Sequence, residues 1–417
     1  INDDLTKMLF LHHSLRQKPN VTFIFTLLII IKGFQSFALE DTEILLDKIT
    51  DYEESLRRET TAVELEITQR EALTKIFTYY RLPSSESHEC TWTGISCLDG
   101  LLITGIDLAT RGLEGTLMSA FGTFSNLQIL RLTENRLVGP IPTILGMLSN
   151  LKSLSLNRNE LRQEIPSELY ELAELETLLL DHNKFEGTIS VDIDRMTKLE
   201  TVMLDHNLLV GSIPPQFGNL RGLSLLWLDH NFLIYKIPTE LGKLAQLTDL
   251  DLEHNDIVGT IPTELGELSV IKKLNFANNK LTGTIPVELA NLRQLQELNF
   301  ENNNIEGTIP VDIVAQLKYL TLINVAENIM SGTMHTEFGD LLELEHLILH
   351  DNSMDGTLPP EMRRMRSLKV LDLGDNKLSR EIPPAFGEMT SLEELRLGNN
   401  VLSGPIPQTL VNLESLT

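Results

Sequence analysis

Residues 127–142 read L-Q-I-L-R-L-T-E-N-R-L-V-G-P-I-P, and this pattern returns through most of the chain. Its asparagine, Asn135, recurs every 24 residues as far as Asn303 and then continues with nearly the same step to Asn400. Self-similarity at a fixed period of this length predicts a solenoid of stacked coils. The asparagines in this position are Asn135, Asn159, Asn183, Asn207, Asn231, Asn255, Asn279, Asn303, Asn328, Asn352, Asn376 and Asn400.

Each part of the pattern has a mechanical reason. Leu130 and Leu132 flank Arg131, and successive residues of a strand face opposite sides, so the leucines point inward and the residue between them points outward. Stacked coils then form a parallel sheet. A solenoid turn buries backbone groups, and an asparagine side chain can donate and accept hydrogen bonds there, so we expect the asparagine ladder to be structural. Gly139 and Pro142 mark the bends.

The full pattern, L-x-x-L-x-L-x-x-N-x-L-x-G-x-I-P, resembles the plant-type leucine-rich repeat. That class occurs in ectodomains of receptor-like kinases, in receptor-like proteins and in inhibitors of cell-wall-degrading enzymes such as polygalacturonase. The resemblance implies an α/β repeat solenoid, a right-handed superhelix with a concave parallel β-sheet and an N-terminal helical cap. About 13 units are expected over residues 103–417, with the last unit truncated. Local distortion is expected where the Gly is replaced, at Gln163, Tyr235 and Arg380, and where the Pro is replaced, at Met118, Ser190 and His335.

The segment before the repeats contains both cysteines of the chain. Residues 90–97, C-T-W-T-G-I-S-C, are similar to the C-x-W-x-G-[VI]-x-C cap of the same family. The resemblance implies a Cys90–Cys97 disulfide within a cap over residues 89–102, which needs an oxidising compartment. The apolar spacing predicts a helix over residues 72–80, where the family carries its helical cap. A zinc site at the cysteines lacks ligands, since only His88 lies nearby, and no metal is expected there.

The N-terminus has the features of a processing signal. Arg16 and Lys18 precede the apolar run 21–31, and Ser36 and Ala38 are small residues at the −3 and −1 positions of a cleavage site after Ala38. These features predict a signal peptide over residues 1–38. An uncleaved membrane anchor is the alternative, and both place the repeats outside the cytoplasm, secreted or at the cell surface. Residues 39–88 are predicted to be an acidic helical segment that includes the start of the cap. The acidic part before the cap is either a solvated spacer or a separate binding module.

Composition limits the possible functions. The chain has 34 Lys and Arg against 59 Asp and Glu, a net charge of −25, which would repel nucleic acid. A basic partner is favoured, although acidity also keeps a large surface soluble. Enzyme motifs are missing from the sequence, so we expect no catalytic residues and no cofactor. The prediction is an extracellular, receptor-like module that binds a peptide or protein ligand, with a co-receptor or a membrane tether as further partners. The alternatives are a secreted inhibitor of cell-wall-degrading enzymes and a structural or adhesive repeat protein.

The outward position of each strand suggests where a ligand binds. Most repeats place a polar residue there, but three consecutive repeats place Leu179, Met203 and Trp227, with Leu225 adjacent. We predict that this apolar stripe binds the ligand, although tolerated surface hydrophobes are the alternative. The neighbouring carboxylates are expected to orient a basic group of the ligand. They are Asp181, Asp205 and Asp229.

A repeated Asp-His or Glu-His pair precedes the asparagine in four consecutive repeats. Strands about 4.8 Å apart would align these pairs in two rows. The rows could bind a divalent metal ion or respond to pH between about 5 and 7. Alternatively, recent repeat duplication copied the pair without any role. The histidines are His182, His206, His230 and His254.

Overall fold

The computed structural model describes residues 68–84 and 87–417, and residues 68–417 form one unit. The predicted signal peptide or anchor, residues 1–38, lies outside the described residues, as does the acidic segment up to residue 67. Within the described part of the chain, no helix has both the length and the apolar character that a bilayer crossing requires.

The repeats build one long sheet, which confirms the predicted fold class. It contains fourteen strands, and all but the first pair run parallel, with one strand contributed by each repeat. Leu178, Val202 and Leu226 lie in register at the centre of adjacent strands and are buried, as the alternation of inward leucines requires. The strands of this concave sheet are Ile95–Leu98, Leu102–Asp107, Ile129–Arg131, Ser153–Ser155, Thr177–Leu179, Thr201–Met203, Leu225–Trp227, Asp249–Asp251, Lys273–Asn275, Glu297–Asn299, Leu322–Asn324, His346–Ile348, Val370–Asp372 and Glu394–Arg396.

A second set of short strands follows the ladder asparagines and forms small parallel sheets beside the concave one. These lateral strands are Glu114–Thr116, Arg136–Gly139, Glu160–Gln163, Lys184–Phe185, Val210–Gly211, Phe232–Leu233, Val258–Gly259, Lys280–Gly283, Asn304–Gly307, Ile329–Met330, Ser379–Arg380 and Val401–Leu402. After most bends a single helical turn closes the coil and buries at least one large side chain, such as Leu241 in Thr239–Lys243.

Most of these closing turns are 3-10 helices, and one is a short α-helix. A proline in extended conformation, such as Pro238, precedes most of them, because its fixed φ ends the preceding strand and it needs no hydrogen-bond acceptor. The α-helix is Val311–Gln316. The 3-10 helices are Glu89–Thr91, Ser119–Thr123, Thr143–Met147, Ser167–Glu171, Val191–Arg195, Pro215–Asn219, Thr239–Lys243, Thr263–Glu267, Val287–Asn291, Thr336–Asp340, Pro360–Arg364, Pro384–Glu388 and Gln408–Asn412.

The asparagine ladder has the predicted structural role. The Asn207 side-chain oxygen accepts the backbone N–H of Phe185 in the preceding coil at 3.0 Å. Its amide donates to the carbonyl of Leu180 in the preceding coil, and to those of Leu204 and Asp205 in its own coil, each at 3.1 Å. These bonds satisfy buried backbone groups that no regular ladder reaches. Each ladder asparagine therefore fastens its coil to the one before it.

The bends do not show the predicted distortion. Gln163, Tyr235 and Arg380 have φ values of 74°, 70° and 69°, close to the 80° of Gly187 in the same position. The packing of the coil holds these residues in a left-handed backbone conformation. Their φ angles are strained, and the path of the backbone stays the same as in the repeats that have glycine. Replacing the proline also leaves the path unchanged, since the three replacing residues are extended as the prolines are. They are Met118, Ser190 and His335.

The N-terminal cap closes the first coil. Residues 68–79 are helical, which confirms the helix predicted over 72–80, and Phe77 packs on Trp92 with ring centroids 4.7 Å apart. Cys90 and Cys97 form the disulfide that the resemblance implied. Strand Ile95–Leu98 then pairs antiparallel with Leu102–Asp107 and covers the edge of the concave sheet. The leucines of the first coil are thus shielded from water.

Candidate functional site

The apolar stripe lies on the concave sheet as the sequence predicts. Met203 is in register with Leu179 on one side and with Trp227 on the other, and all three are half-buried. Polar residues bound the stripe at both ends, where Ser155 pairs with Leu179 and Asp251 pairs with Trp227. The three side chains therefore form one continuous apolar surface across three strands.

The outward column is more crowded than the alternation of residues implied. Ser155 and Asp372 are polar residues at the outward position of their strands, yet they are only 2% and 4% accessible. Side chains on the inside of a curved sheet converge, and Asp372 is covered by Arg396, whose guanidinium donates to its carboxylate at 3.0 Å. Strand position alone therefore overestimates how much of a concave residue a ligand can reach.

Trp227 is held in place by its own neighbours. Its indole N–H donates to the Asp249 carboxylate at 2.9 Å, and Asp249 lies beside Leu225 on the adjacent strand. Burial raises the pKa of Asp249, and the bond from Trp227 partly offsets this rise. Burial likewise raises the pKa of Asp251 to about 6. The tryptophan ring is thus oriented before any ligand arrives, which lowers the entropy cost of binding.

A small recess of about 110 Å³ opens beside Trp227. Most of its lining residues are polar, and one of them, Lys273, forms an ion pair with Glu297 at 2.9 Å. Its lining residues include Trp227, Asp249, Asp251, Lys273, Asn275, Glu297 and Asn299. An apolar stripe therefore adjoins a polar recess, an arrangement that suits a side chain with a charged or hydrogen-bonding end.

The row of aspartates is placed differently from the expectation. The side chains of Asp181, Asp205 and Asp229 are only 8%, 6% and 13% exposed, so they do not present carboxylates to a peptide on the concave face. Burial is the main cause that raises the pKa of Asp205, and it raises the pKa of Asp229 to about 8, with Asp251 adding repulsion. The accessible acidic groups beside the stripe are instead Asp249 and Asp251, both half-buried.

The histidines cover this aspartate row. His182, His206 and His230 stack with ring centroids 4.1 and 4.0 Å apart and interplanar angles of 10° and 12°. His254 continues the row, tilted by 48°. Each has a left-handed backbone with φ near 50°. Burial is the largest of the causes that lower the pKa of His230, followed by repulsion from its neighbouring histidines.

A second apolar surface was missed by the sequence analysis. It lies on the lateral strands of the repeats that also carry the stripe and the histidines, and its side chains are between 37% and 61% exposed. Reading the positions after each ladder asparagine as columns would have revealed it, since the preceding repeat has Lys184 and Glu186 there. The residues are Leu208, Val210, Phe232, Ile234 and Tyr235.

These repeats define a protein of the leucine-rich-repeat family, to which the chain belongs. Sequence models of the leucine rich repeat family match residues 125–185, 197–257, 271–292, 294–315, 367–389 and 391–413. A solved leucine-rich-repeat protein of Leptospira interrogans is 31% identical, with a TM-score of 0.62, over 75% of this chain and 76% of that one.

The particular similarity is to plant receptor ectodomains, which confirms the resemblance inferred from the repeat pattern. The plant peptide hormone receptor RGFR1, solved in complex with RGF2, is 31% identical with a TM-score of 0.74 over 79% of this chain and 55% of that chain. The receptor-like serine/threonine-protein kinase GSO2 of Arabidopsis thaliana is 45% identical over 51 residues, 12% of this chain and 4% of that protein. The chain spans about half the length of the receptor structure and a small part of the kinase.

Proposed function

We propose that this chain is the recognition part of an extracellular receptor-like protein and that it binds a peptide on its concave face. The observation that carries this proposal is the stripe formed by Leu179, Met203 and Trp227 on three adjacent strands. Continuous apolar surface on a soluble protein usually marks a place of contact, and a tryptophan flanked by other apolar residues is a common energetic centre of such contacts.

The surroundings of the stripe indicate the chemistry of the ligand. An apolar side chain would pack on Trp227 and Met203. A neighbouring basic group would reach the acidic wall of the recess, where Asp249, Asp251 and Glu297 lie. This wall takes the role first assigned to the buried aspartate row. The structure of RGFR1 with RGF2, a receptor of similar fold and its bound partner, supports a peptide as the class of ligand.

Two further features concern the cellular location. The Cys90–Cys97 disulfide is stable in an oxidising compartment, and the N-terminal sequence predicts a secretory signal. A secreted or cell-surface location, with a co-receptor or membrane tether, is part of the proposal. An enzyme inhibitor and an adhesive repeat protein stay as alternatives, and no feature of the described residues favours them.

The test is a selection of peptides from a random displayed library on the purified chain, followed by calorimetry with the strongest synthetic peptide. Trp227→Ala should weaken its binding by about 2 kcal/mol or more, because burial on the indole supplies much of the affinity. Tyr235→Ala is the matched control: it removes an exposed aromatic ring from the same repeat but from the lateral surface, and it should leave the affinity unchanged.

Two results would overturn the proposal. One is that no peptide is enriched over a denatured sample of the chain. The other is that the selected peptide binds Trp227→Ala and Met203→Ala as tightly as the unmodified protein, which would move the binding site away from the stripe.

A further inference from the structure

We propose that the histidine row and the aspartates beneath it bind one divalent transition-metal ion of the zinc class. Two overlapping sets of side chains offer the ligands. The first is His182, Asp205 and His206, and the second is His206, Asp229 and His230. This inference does not rest on the proposed peptide binding.

Two distances within each set match what a bound ion needs. In the first set, Asp205 Oδ2 lies 3.5 Å from His182 Nδ1 and 3.2 Å from His206 Nδ1. In the second, Asp229 Oδ2 lies 3.6 Å from His206 Nδ1 and 3.0 Å from His230 Nδ1. Ligand atoms about 2.0–2.2 Å from a tetrahedral ion are separated by about 3.3–3.6 Å. The carboxylate of each set is thus already at nearly the right distance from both imidazoles, and all three ligand atoms lie within 4.8 Å of one another.

A separate observation indicates that something is missing from this cluster. The Asp205 side chain is 94% buried, and its Oδ1 has no hydrogen-bond partner among the described residues. The Oδ1 atom of Asp181 and the Nδ1 atom of His182 are likewise buried atoms that have no hydrogen-bond partner among the described residues. Buried polar atoms without partners are costly, and neighbouring carboxylates repel one another, so a cation at this place would relieve both penalties.

The geometry also sets the number of ions. His206 belongs to both sets, and its Nδ1 atom, which lies near both aspartates, has a single lone pair, so the sets compete and one chain binds one ion. The lone pairs lie in the ring planes, so the stacked rings must tilt toward the ion. His182 and His206 are 36% and 40% exposed, which leaves them room to do so.

The ligand types select the ion. Two imidazoles and one carboxylate, with water completing the shell, suit Zn²⁺, Ni²⁺ or Cu²⁺. Ca²⁺ and Mg²⁺ prefer oxygen ligands only and would find one carboxylate in each set. Competition between these two groups of ions therefore distinguishes the proposed site from general attraction of cations to an acidic surface.

The experiment uses the untagged 417-residue chain and Zn²⁺, with binding measured by calorimetry or equilibrium dialysis at about pH 7.5, where imidazole is mainly neutral. We expect one Zn²⁺ per chain and no displacement by millimolar Ca²⁺ or Mg²⁺. Thermal unfolding with and without Zn²⁺ gives a second reading, since an ion bound only to the native state raises the melting temperature.

Variants test the shared ligand. His206→Asn breaks both sets and should weaken Zn²⁺ binding by at least about tenfold, because even residues that only support a metal ligand cost 10–100-fold when lost. His182→Asn and His230→Asn each leave one set intact and should weaken binding less. Asparagine fits this backbone, since Asn278 and Asn302 occupy the same position with φ of 55° and 51°.

His350→Asn is the matched control. His350 bonds Asp351 at 2.9 Å in a later repeat, outside both candidate ligand sets, and its loss should leave Zn²⁺ binding unchanged. The proposal fails if the unmodified chain binds no Zn²⁺ up to millimolar concentration, or if His206→Asn binds it as tightly as the unmodified chain. It also fails if Ca²⁺ displaces Zn²⁺, which would indicate attraction by surface charge alone.

Discussion

Two neighbouring regions of the concave sheet share one backbone and differ in their surface. Strands Thr201–Met203 and Leu225–Trp227 present apolar side chains, whereas strands Lys273–Asn275 and Glu297–Asn299 present asparagines and an ion pair. All four strands pair in parallel with the same register. The surface chemistry therefore changes from one repeat to the next without any change in the path of the chain.

The inward residues explain why this is possible. Leu226 and Leu274 are both fully buried, and a ladder asparagine follows each strand in the same geometry. Stability resides in the inward leucines and the asparagines, which hardly vary. The outward positions contribute little to stability, so their side chains can differ from one repeat to the next. The predictions below test this division of roles.

The largest effect is expected from a change in the ladder. Asn207→Ala removes four hydrogen bonds and leaves buried groups such as the Phe185 N–H without a partner, so the free energy of unfolding should fall by about 3 kcal/mol or more. Guanidinium denaturation followed by circular dichroism measures it. Asn299→Ala removes the same side chain from an outward position and should cost under about 1 kcal/mol. Equal losses in the two variants would contradict the division.

A smaller effect on peptide binding is expected when the apolar stripe is given a residue of the polar strands. Met203→Asn places in the stripe the residue that Asn275 and Asn299 have in the same column. It should weaken binding of a selected peptide by about 1–2 kcal/mol, because the apolar surface is interrupted. The melting temperature should change little, and calorimetry together with thermal unfolding measures both. A large loss of stability with unchanged affinity would show that the stripe is part of the core and not a binding surface.

The smallest effect concerns a bend between these regions. Tyr235 has φ of 70°, and Tyr235→Gly should raise the free energy of unfolding by about 1 kcal/mol, since glycine adopts this backbone without strain. Gly211→Ala in the preceding repeat is the opposite test. Its new Cβ would lie 2.9 Å from Thr188 Cγ2, at φ of 85°, so this variant should be less stable. Denaturation curves of the two variants should move in opposite directions.

The repeat period was sufficient to predict the concave sheet, the ladder and the stripe, because strands and ladder follow a strict alternation. Burial of the aspartates could not be predicted in the same way. Alternation ends at Leu180, and His182 adopts a left-handed backbone, so the direction of Asp181 depends on a turn and not on strand period. The strained bends at Gln163 and Tyr235 could not be predicted either. The sequence does not show whether the backbone changes its path when the glycine is replaced or whether the new residue adopts a positive φ.

The ladder has a consequence for how the molecule responds to mechanical load. Each asparagine joins only its own coil and the one before it, as Asn207 does through Leu180 and Leu204. A force applied along the stacking axis therefore acts on a series of similar contacts between neighbouring coils, and each contact can break separately. Pulled from its ends, the solenoid should unravel in discrete steps, each releasing one coil of roughly 24 residues and lengthening the chain by about 80 Å.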